Sequence, residues 1–328
     1  MTAAARPLLK SLWPVLVRAA GEAQFGIDPS RAVVVSRLSD AELQALQSLD
    51  GTRELPPALK ARPELVDLLL TNGLLVDHAA LGPLSGADRV GLVSQAEALV
   101  RSAGPQQGYA ALSRRSDASV LVMGRGALPA AIGSLLRRSG VGAVSVGPHA
   151  GDDIDHTGGS SPSPGAIAEP VLAVMVASHA LDPAAAEPWR ARGIPALPVV
   201  LHGVEATVGP LAVPGGPCPR CLDLTRADLD PAWPMLLGQL TAPAVGRGPD
   251  VVGDSALVGV AAAMAAMVAL AVVDGQPVPA GRSLEVGLPW PGVRQRQWVP
   301  HPRCSCGAAD TVHQPPVTDH TRQARMAG

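Results

Sequence analysis

The sequence predicts an α/β protein in which a mainly parallel sheet is preceded by a small α+β domain. Two observations lead there, strand-like and helix-like segments alternating from Ser119 onward and a hairpin-and-helix pattern filling residues 1–81, and four cysteines in two close pairs add a metal site to the larger domain. A chain of 328 residues with 47% hydrophobic residues has enough apolar material for two cores. A formal net charge of -2 removes any global electrostatic reason to bind nucleic acid or an anionic membrane.

Near the N-terminus Pro7, Lys10, Pro14 and Arg18 interrupt every apolar run, so no secretion signal is expected and the cytoplasm is the expected location. Glu22–Ile27 and Ala32–Ser36 read as strands joined by Asp28-Pro29-Ser30-Arg31, whose Asp-Pro start favours a turn. Ser39 is then a good N-cap. Glu42, three residues on, completes a capping box, and Leu43, Leu46 and Leu49 share one helical face up to the stop at Gly51. Short helices at Pro56–Arg62 and Pro63–Leu70 follow, then Gly73 and the apolar Leu74–Val76.

A hairpin with three short helices resembles a winged-helix module of the PqqD-like kind, a leader-peptide recognition element that takes up a peptide as an added strand. The strand at Ala32–Ser36 beside the helix that follows offers an edge and an apolar groove, with Val33, Val34, Val35, Leu43 and Leu46 as the peptide-binding candidates. The plainer alternative is a helical cap on the larger domain. A fragment ending near Leu81 is expected to fold alone.

Residues 82–118 form a connector with one amphipathic helix near Asp88–Arg101, and residues 119–307 form the α/β domain. Within it Val120–Met123, Gly142–Val146, Val171–Ala177 and Ala196–His202 are strands, and Leu128–Ser139 is a helix. Gly151–Pro164 is a polar Gly/Ser/Pro loop, and residues 308–328 are expected to be a disordered tail. Ser255–Val273 has 19 uncharged residues, near the length of a membrane span, but eight are alanines, which pack closely in cores. A buried helix is expected there, not a membrane segment.

Cys218-Pro-Arg-Cys221 and Cys304-Ser-Cys306 are the most specific feature. Two close thiol pairs in a chain without a secretion signal point to a tetrahedral thiolate site, for which zinc is the expected ion. A redox Cys-x-x-Cys centre, or reduced cysteines without metal, are the alternatives, and His301 and His313 are candidate substitute ligands. Four thiolates close the coordination sphere, so the zinc would be structural.

Val120–Met123 runs into Gly124-Arg125-Gly126, a cofactor-binding candidate in which a tight turn would bring a phosphate to a helix N-terminus. Pro129 stands where a third glycine is usual, and fits equally as a helix starter. No serine lies in a Gly-x-Ser-x-Gly elbow, and if the cysteines are ligands no free thiol remains as a nucleophile; no catalytic residue is assigned.

Strand, Gly-x-Gly and helix, then Ser139–Val146, Val208–Gly215, Cys218–Arg226, Asp230–Pro234 and Trp298–Gly307 together resemble the ThiF-like family, relatives of ubiquitin-activating enzymes. The likeness is to the actinobacterial type associated with cyclodehydratases of azoline-forming peptide pathways. The resemblance implies a Rossmann-like fold, a homodimer, a precursor or carrier peptide, and a cyclodehydratase-type partner enzyme. It implies one of two roles, presenting the peptide or adenylating a carboxylate with ATP.

An adenylating member would carry a ribose-binding acid after the second strand, an Asn-x-x-Arg-Gln stretch, a phosphate-binding lysine and a magnesium-binding Asp. Here the second strand ends Val146-Gly147-Pro148, no lysine follows Lys60, and the later strand runs to Ser178-His179, leaving Asp182 as the displaced candidate. Asp152, Asp153 and Asp155 lie in the polar loop. An arginine such as Arg125 does not reproduce a lysine's point charge. The expectation is therefore a degenerate nucleotide site, at most weak ATP binding, and little loss of function on Gly126→Ala. The alternatives are an ATP-dependent adenylyltransferase, an oxidoreductase resting on the Gly-x-Gly alone, and a purely structural oligomer.

Overall fold

The computed structural model describes residues 7–9, 14–27, 32–49, 53–77, 92, 95, 98, 99, 105–151, 169–242, 251 and 253–309. The chain divides into two compact units, Met1–Ser116 with Arg138–Gly140, and Asp117–Arg137 with Val141–Gly328. The Asp28–Arg31 turn, the Gly151–Pro164 loop except its first residue, His313 and the tail from residue 310 lie outside the described residues. Of the helix expected at Asp88–Arg101, Leu92, Gln95, Ala98 and Leu99 are described, and all four are helical.

In the first unit β1 (Pro7–Leu9) is followed by β2 (Val15–Ala19), β3 (Glu22–Phe25) and β4 (Val33–Ser36). The last three form an antiparallel sheet in the order β2-β3-β4. β3 and β4 are the expected hairpin, whereas β2 was not foreseen: its pairing with β3 shifts register between Val17 and Ala19, and that irregularity breaks the two-residue alternation a strand shows in sequence.

Helix α1 (Asp40–Gln47) begins as the sequence requires, with Ser39 Oγ accepting from the Glu42 N–H at 3.3 Å and the Glu42 carboxylate accepting from the Ser39 N–H at 2.6 Å. Arg62 donates to the same carboxylate at 2.9 Å, tying α1 to the residue that precedes α3. Helices α2 (Pro57–Lys60) and α3 (Pro63–Thr71) each start on a proline, and β5 (Leu75–Asp77) pairs antiparallel with β1. Phe25, Leu46, Leu59, Leu69, Leu74 and Leu75 are fully buried and make this unit's core. The stretch read as a connector also holds a helix, α4 (Pro105–Asp117), whose polar composition and internal Gly108 mask its period.

The second unit is built on one sheet of seven strands. These are β6 (Ser119–Met123), β7 (Ala143–Val146), β8 (Leu172–Ser178), β9 (Ala196–His202), β10 (Glu205–Val208), β11 (Arg282–Gly287) and β12 (Arg294–Gln297), in the order β12-β11-β10-β9-β8-β6-β7. β7, β6, β8 and β9 are parallel neighbours, while β10, β11 and β12 run antiparallel from β9 onward. The sheet is thus mixed: the strands read from sequence form its parallel part, as expected, and three antiparallel strands extend it beyond β9. The reversal comes at Gly203-Val204, where His202 pairs with Glu205 across a two-residue hairpin and Gly203 takes a φ of 60°.

Helix α5 (Ala127–Arg138) connects β6 to β7. The 310 turn Pro183–Ala186, α6 (Glu187–Ala191), α7 (Pro219–Leu229), α8 (Trp233–Thr241) and α9 (Ser255–Val273) complete the unit. α9 packs on the sheet, with Ala261, Ala262, Ala265 and Ala269 fully buried in the cluster that holds Leu197, Val199, Leu201, Ala206 and Val208. Its length and apolarity would suffice for a membrane span. Its alanines instead let the helix backbone approach the strands closely, as expected of a core helix.

Candidate functional site

The chain brings all four cysteines together, with Cys218 and Cys304 meeting across 86 residues of sequence. Cys218 is the N-cap of α7 and Cys221 lies in its first turn, so Pro219, which fixes φ and lacks the N–H a first-turn residue leaves unpaired, sets the spacing of the two sulfurs. The Sγ atoms are 3.7 Å apart for Cys218 and Cys221, 3.7 Å for Cys218 and Cys304, and 3.5 Å for Cys221 and Cys306. All four lie within 4.8 Å of one another. These separations are far beyond a disulfide, and a tetrahedral ion with bonds of about 2.3 Å places its sulfurs about 3.8 Å apart. The four sulfurs can therefore hold one metal ion.

Without such an ion the site is poor for charge. Burial pushes the Cys218 thiol well up and the Cys304 thiol up to about 11. At Cys221 burial acts the same way but is outweighed by backbone N–H donation from the His301 and Cys218 neighbourhoods, and its pKa falls below the thiol range. A divalent cation would satisfy all four sulfurs at once.

His301, a candidate ligand, is not one. Its ring is buried, its Nδ1 accepts from the Arg303 N–H at 3.1 Å, and its Nε2 donates to Asp228 Oδ2 at 2.8 Å. Arg303 also donates to Asp228, so one carboxylate on α7 grips two of the three residues that precede Cys304, His301 and Arg303. The His301 hydrogen bond, followed by the charge of Arg303, holds the Asp228 carboxyl below its ordinary range. The sequence carried a sign of this: Cys218-Pro-Arg-Cys221 and His301-Pro-Arg-Cys304 are the same turn written twice. The Cys221 and Cys304 N–H groups each donate to the carbonyl three residues back, at 2.9 Å. In the second turn the first ligand is exchanged for a histidine that points to Asp228.

Beside this centre a cleft of about 650 Å³ lies over the face of the antiparallel strands opposite α9. The Arg226 guanidinium lies 5.1 Å from the Trp233 ring and 5.5 Å from the Trp298 ring, and the Arg296 guanidinium also lies 5.5 Å from the Trp298 ring. Asp223 accepts from Arg226 and from the Trp233 indole, and burial raises its pKa against both. Asp223, Arg226, Trp233 and Trp298 lie in the stretches that carried the family resemblance, but no role was read for them from sequence, because stacked Arg–Trp pairs have no fixed spacing.

Gly124-Arg125-Gly126 lies at the C-terminal end of β6, where the strand order reverses between β7 and β8, the place where sheets of this kind bind ligands. Its glycines are required by the chain itself. Gly126 has a φ of 97°, pairs with Val251, and a Cβ on it would stand 2.8 Å from the Val251 carbonyl oxygen. The Val251 N–H donates to the Arg125 carbonyl at 3.0 Å. A Cβ on Gly124 would stand 2.8 Å from the Val176 oxygen, and the Gly124 N–H donates to Gly147 at 3.3 Å.

β8 ends at Ser178-His179 without a carboxylate. Asp182, the displaced magnesium candidate, accepts from the Ala184 N–H at 2.9 Å as the N-cap of the 310 turn. Asp152, Asp153 and Asp155 lie outside the described residues.

In the first unit β4 is an edge strand among the described residues. Of the candidate peptide contacts, Val35 and Leu46 are spent on the core, Val33 and Leu43 are partly buried against it, and Val34 is 41% exposed. The side chains of Val35 and Leu46 are therefore not available to a peptide, though the β4 backbone is.

No family model and no curated protein matches the chain. Solved structures do. A heterocyclase in complex with substrate and cofactor superposes with a TM-score of 0.60 at 16% identity, over 93% of this chain and 40% of that one. The heterocyclase TruD gives 0.61 at 16%, over 94% and 43%. E. coli MccB with ATP gives 0.58 at 14%, over 92% of this chain and 99% of MccB. The chain thus spans less than half of the heterocyclases and nearly all of MccB. Identities this low establish a shared fold, and that fold is the one found in these heterocyclases and in MccB.

Proposed function

We propose that this protein is a ThiF-like, leader-peptide-binding partner of a cyclodehydratase in azoline-forming ribosomal-peptide biosynthesis, with a structural zinc and no adenylating activity of its own. The observation that carries the reading is the glycine crest: the close approach that its glycines permit is taken by Val251 and Val176 of the same chain. No described carboxylate is free for magnesium at the end of β8, and no lysine follows Lys60 in the sequence. Adenylyl transfer needs positioned cations and a metal where charge develops.

The shared fold supports a peptide partner, since one of the superposing structures is MccB with MccA. In this reading the peptide adds to the β4 edge of the PqqD-like unit, beside Val33, Val34 and Leu43. Cys218, Cys221, Cys304 and Cys306 hold the zinc, which fixes α7 to the C-terminal turn. The protein acts in the cytoplasm as a homodimer.

The second reading, an ATP-dependent adenylyltransferase, is favoured by the superposition on MccB with ATP over 99% of its length. ATP–pyrophosphate exchange by the purified protein, with and without the precursor peptide, separates the two. No exchange is expected. Exchange above background that requires the peptide would replace the scaffold with the enzyme.

A further inference from the structure

The second pair of cysteines arrives on a length of chain with little else to hold it. β12 ends at Gln297 with every side chain exposed, and from Val299 to Gly307 only His301 and Cys304 are buried. Cys304 belongs to the sulfur cluster, so His301 is the one buried side chain of this stretch outside the ligand set. It is also the one that reaches back to α7 twice. Its main-chain N–H donates to the Cys221 sulfur, and its ring donates to Asp228 at 2.8 Å. Cys221 and Asp228 are seven residues apart on α7, two turns, so they project from the same face of the helix about 10 Å apart along its axis.

This strap is complete without a metal ion. The His301 Nδ1 accepts from the Arg303 backbone N–H at 3.1 Å, the Arg303 guanidinium donates to Asp228, and the Cys304 N–H donates to the His301 carbonyl at 2.9 Å. Both ring nitrogens are thereby used and the ring cannot swing toward the sulfurs. The Asp228–Arg303 ion pair does not by itself account for the arrangement: its side chains are 51% and 63% exposed, and an ion pair in water contributes little to stability. What Asp228 fixes is the orientation of a buried ring three residues ahead of a metal ligand.

We infer that Asp228 is a positioning residue for the metal centre: acting through His301, it holds the Cys304–Cys306 turn against α7 before any ion arrives, so that the metal meets four sulfurs already in place. The inference rests on the metal reading proposed above. A ligand pair that only the ion orders charges the cost of that ordering to metal binding, and a pair ordered beforehand does not. Outer-shell groups that orient ligands act on metal affinity in this way. The residue needed for the task is one that stands on the same helix face as a first-pair ligand and reaches the second-pair turn, and among the described residues Asp228 does both.

The test is competition for zinc between the full-length protein and a chromogenic chelator, at a temperature where circular dichroism shows every variant folded. Asp228→Ala and His301→Ala should each bind zinc about 10–100-fold more weakly than wild type. Because Asp228 acts through His301, the double variant should lose little more than the weaker of the two single variants. Asp228→Asn, whose amide carbonyl still accepts from the ring, should recover most of the affinity. Ile132→Ala opens a cavity in α5, beside the sheet edge opposite β12, and should lower the unfolding temperature while leaving zinc affinity unchanged. Wild-type affinity in Asp228→Ala would overturn the strap and leave the metal centre standing, as would an equal loss in Ile132→Ala or additive losses in the double variant. Wild-type protein that takes up no zinc would overturn both.

Discussion

Replacing Gly126 by alanine should unfold the second unit more easily, and the structure gives the size of the effect. At a φ of 97° an L-residue is strained by about 1–2 kcal/mol. The new Cβ would also stand 2.8 Å from the Val251 oxygen and 3.1 Å from its nitrogen, both backbone atoms that no rotamer change can move aside. Parting them loosens the 3.0 Å bond from Val251 to Arg125, worth about 1 kcal/mol. The sum is about 2–3 kcal/mol, or roughly 4–12 °C in Tm for a unit of this size. Thermal unfolding followed by circular dichroism measures it. A Gly126→Ala protein melting within about 2 °C of wild type would show that Val251 does not close the crest. This revises the expectation that Gly126→Ala would be nearly silent: a loss of pathway function in that variant reports on folding, not on a nucleotide.

Purified protein should contain about one equivalent of zinc, and Cys218→Ser should lower metal content and thermal stability together, read by atomic absorption and melting; metal-free protein of unchanged stability would refute the centre. In the first unit the Ser39 N–H, then the Ser39 hydroxyl and Arg62, hold the Glu42 carboxyl below its ordinary range. Its contribution is therefore fully present above the unfolded value of about 4.3 and is lost as pH falls through the lower folded value. Glu42→Gln should destabilise at pH 7 and differ little from wild type near pH 2, and an equal gap at both would contradict the assignment. Ser39→Ala should cost about 1 kcal/mol by urea unfolding, through loss of the cap.

What the sequence made legible was local or chemically unusual. The Ser39–Glu42 box, the prolines that start α2 and α3, the β3–β4 hairpin and the paired cysteines each carry their signal within a few residues. β10, β11 and β12 escaped notice because their identity as strands depends on pairing partners; β12 reads Arg-Gln-Arg-Gln with every side chain exposed. The glycine crest is ambiguous in a different way. Gly124-x-Gly126 signals a close approach to backbone, but sequence cannot say whether the approaching group is a phosphate or Val251 of the same chain. His301 was drawn into the ligand set by its nearness to Cys304, and only the position of Asp228 assigns it to the outer clamp.

Amide hydrogen exchange on the full-length protein, with and without the leader segment of a cognate precursor peptide, tests the central proposal most directly. If the leader adds as a strand to β4, the amides of residues 32–37 should become protected on binding, and those of β12, the comparable edge in the second unit, should not. Val34→Glu, at a position 41% exposed, should weaken the leader without unfolding the domain. Tight leader binding with no change of exchange at residues 32–37, or binding indifferent to Val34→Glu and protecting the second unit instead, would contradict the account.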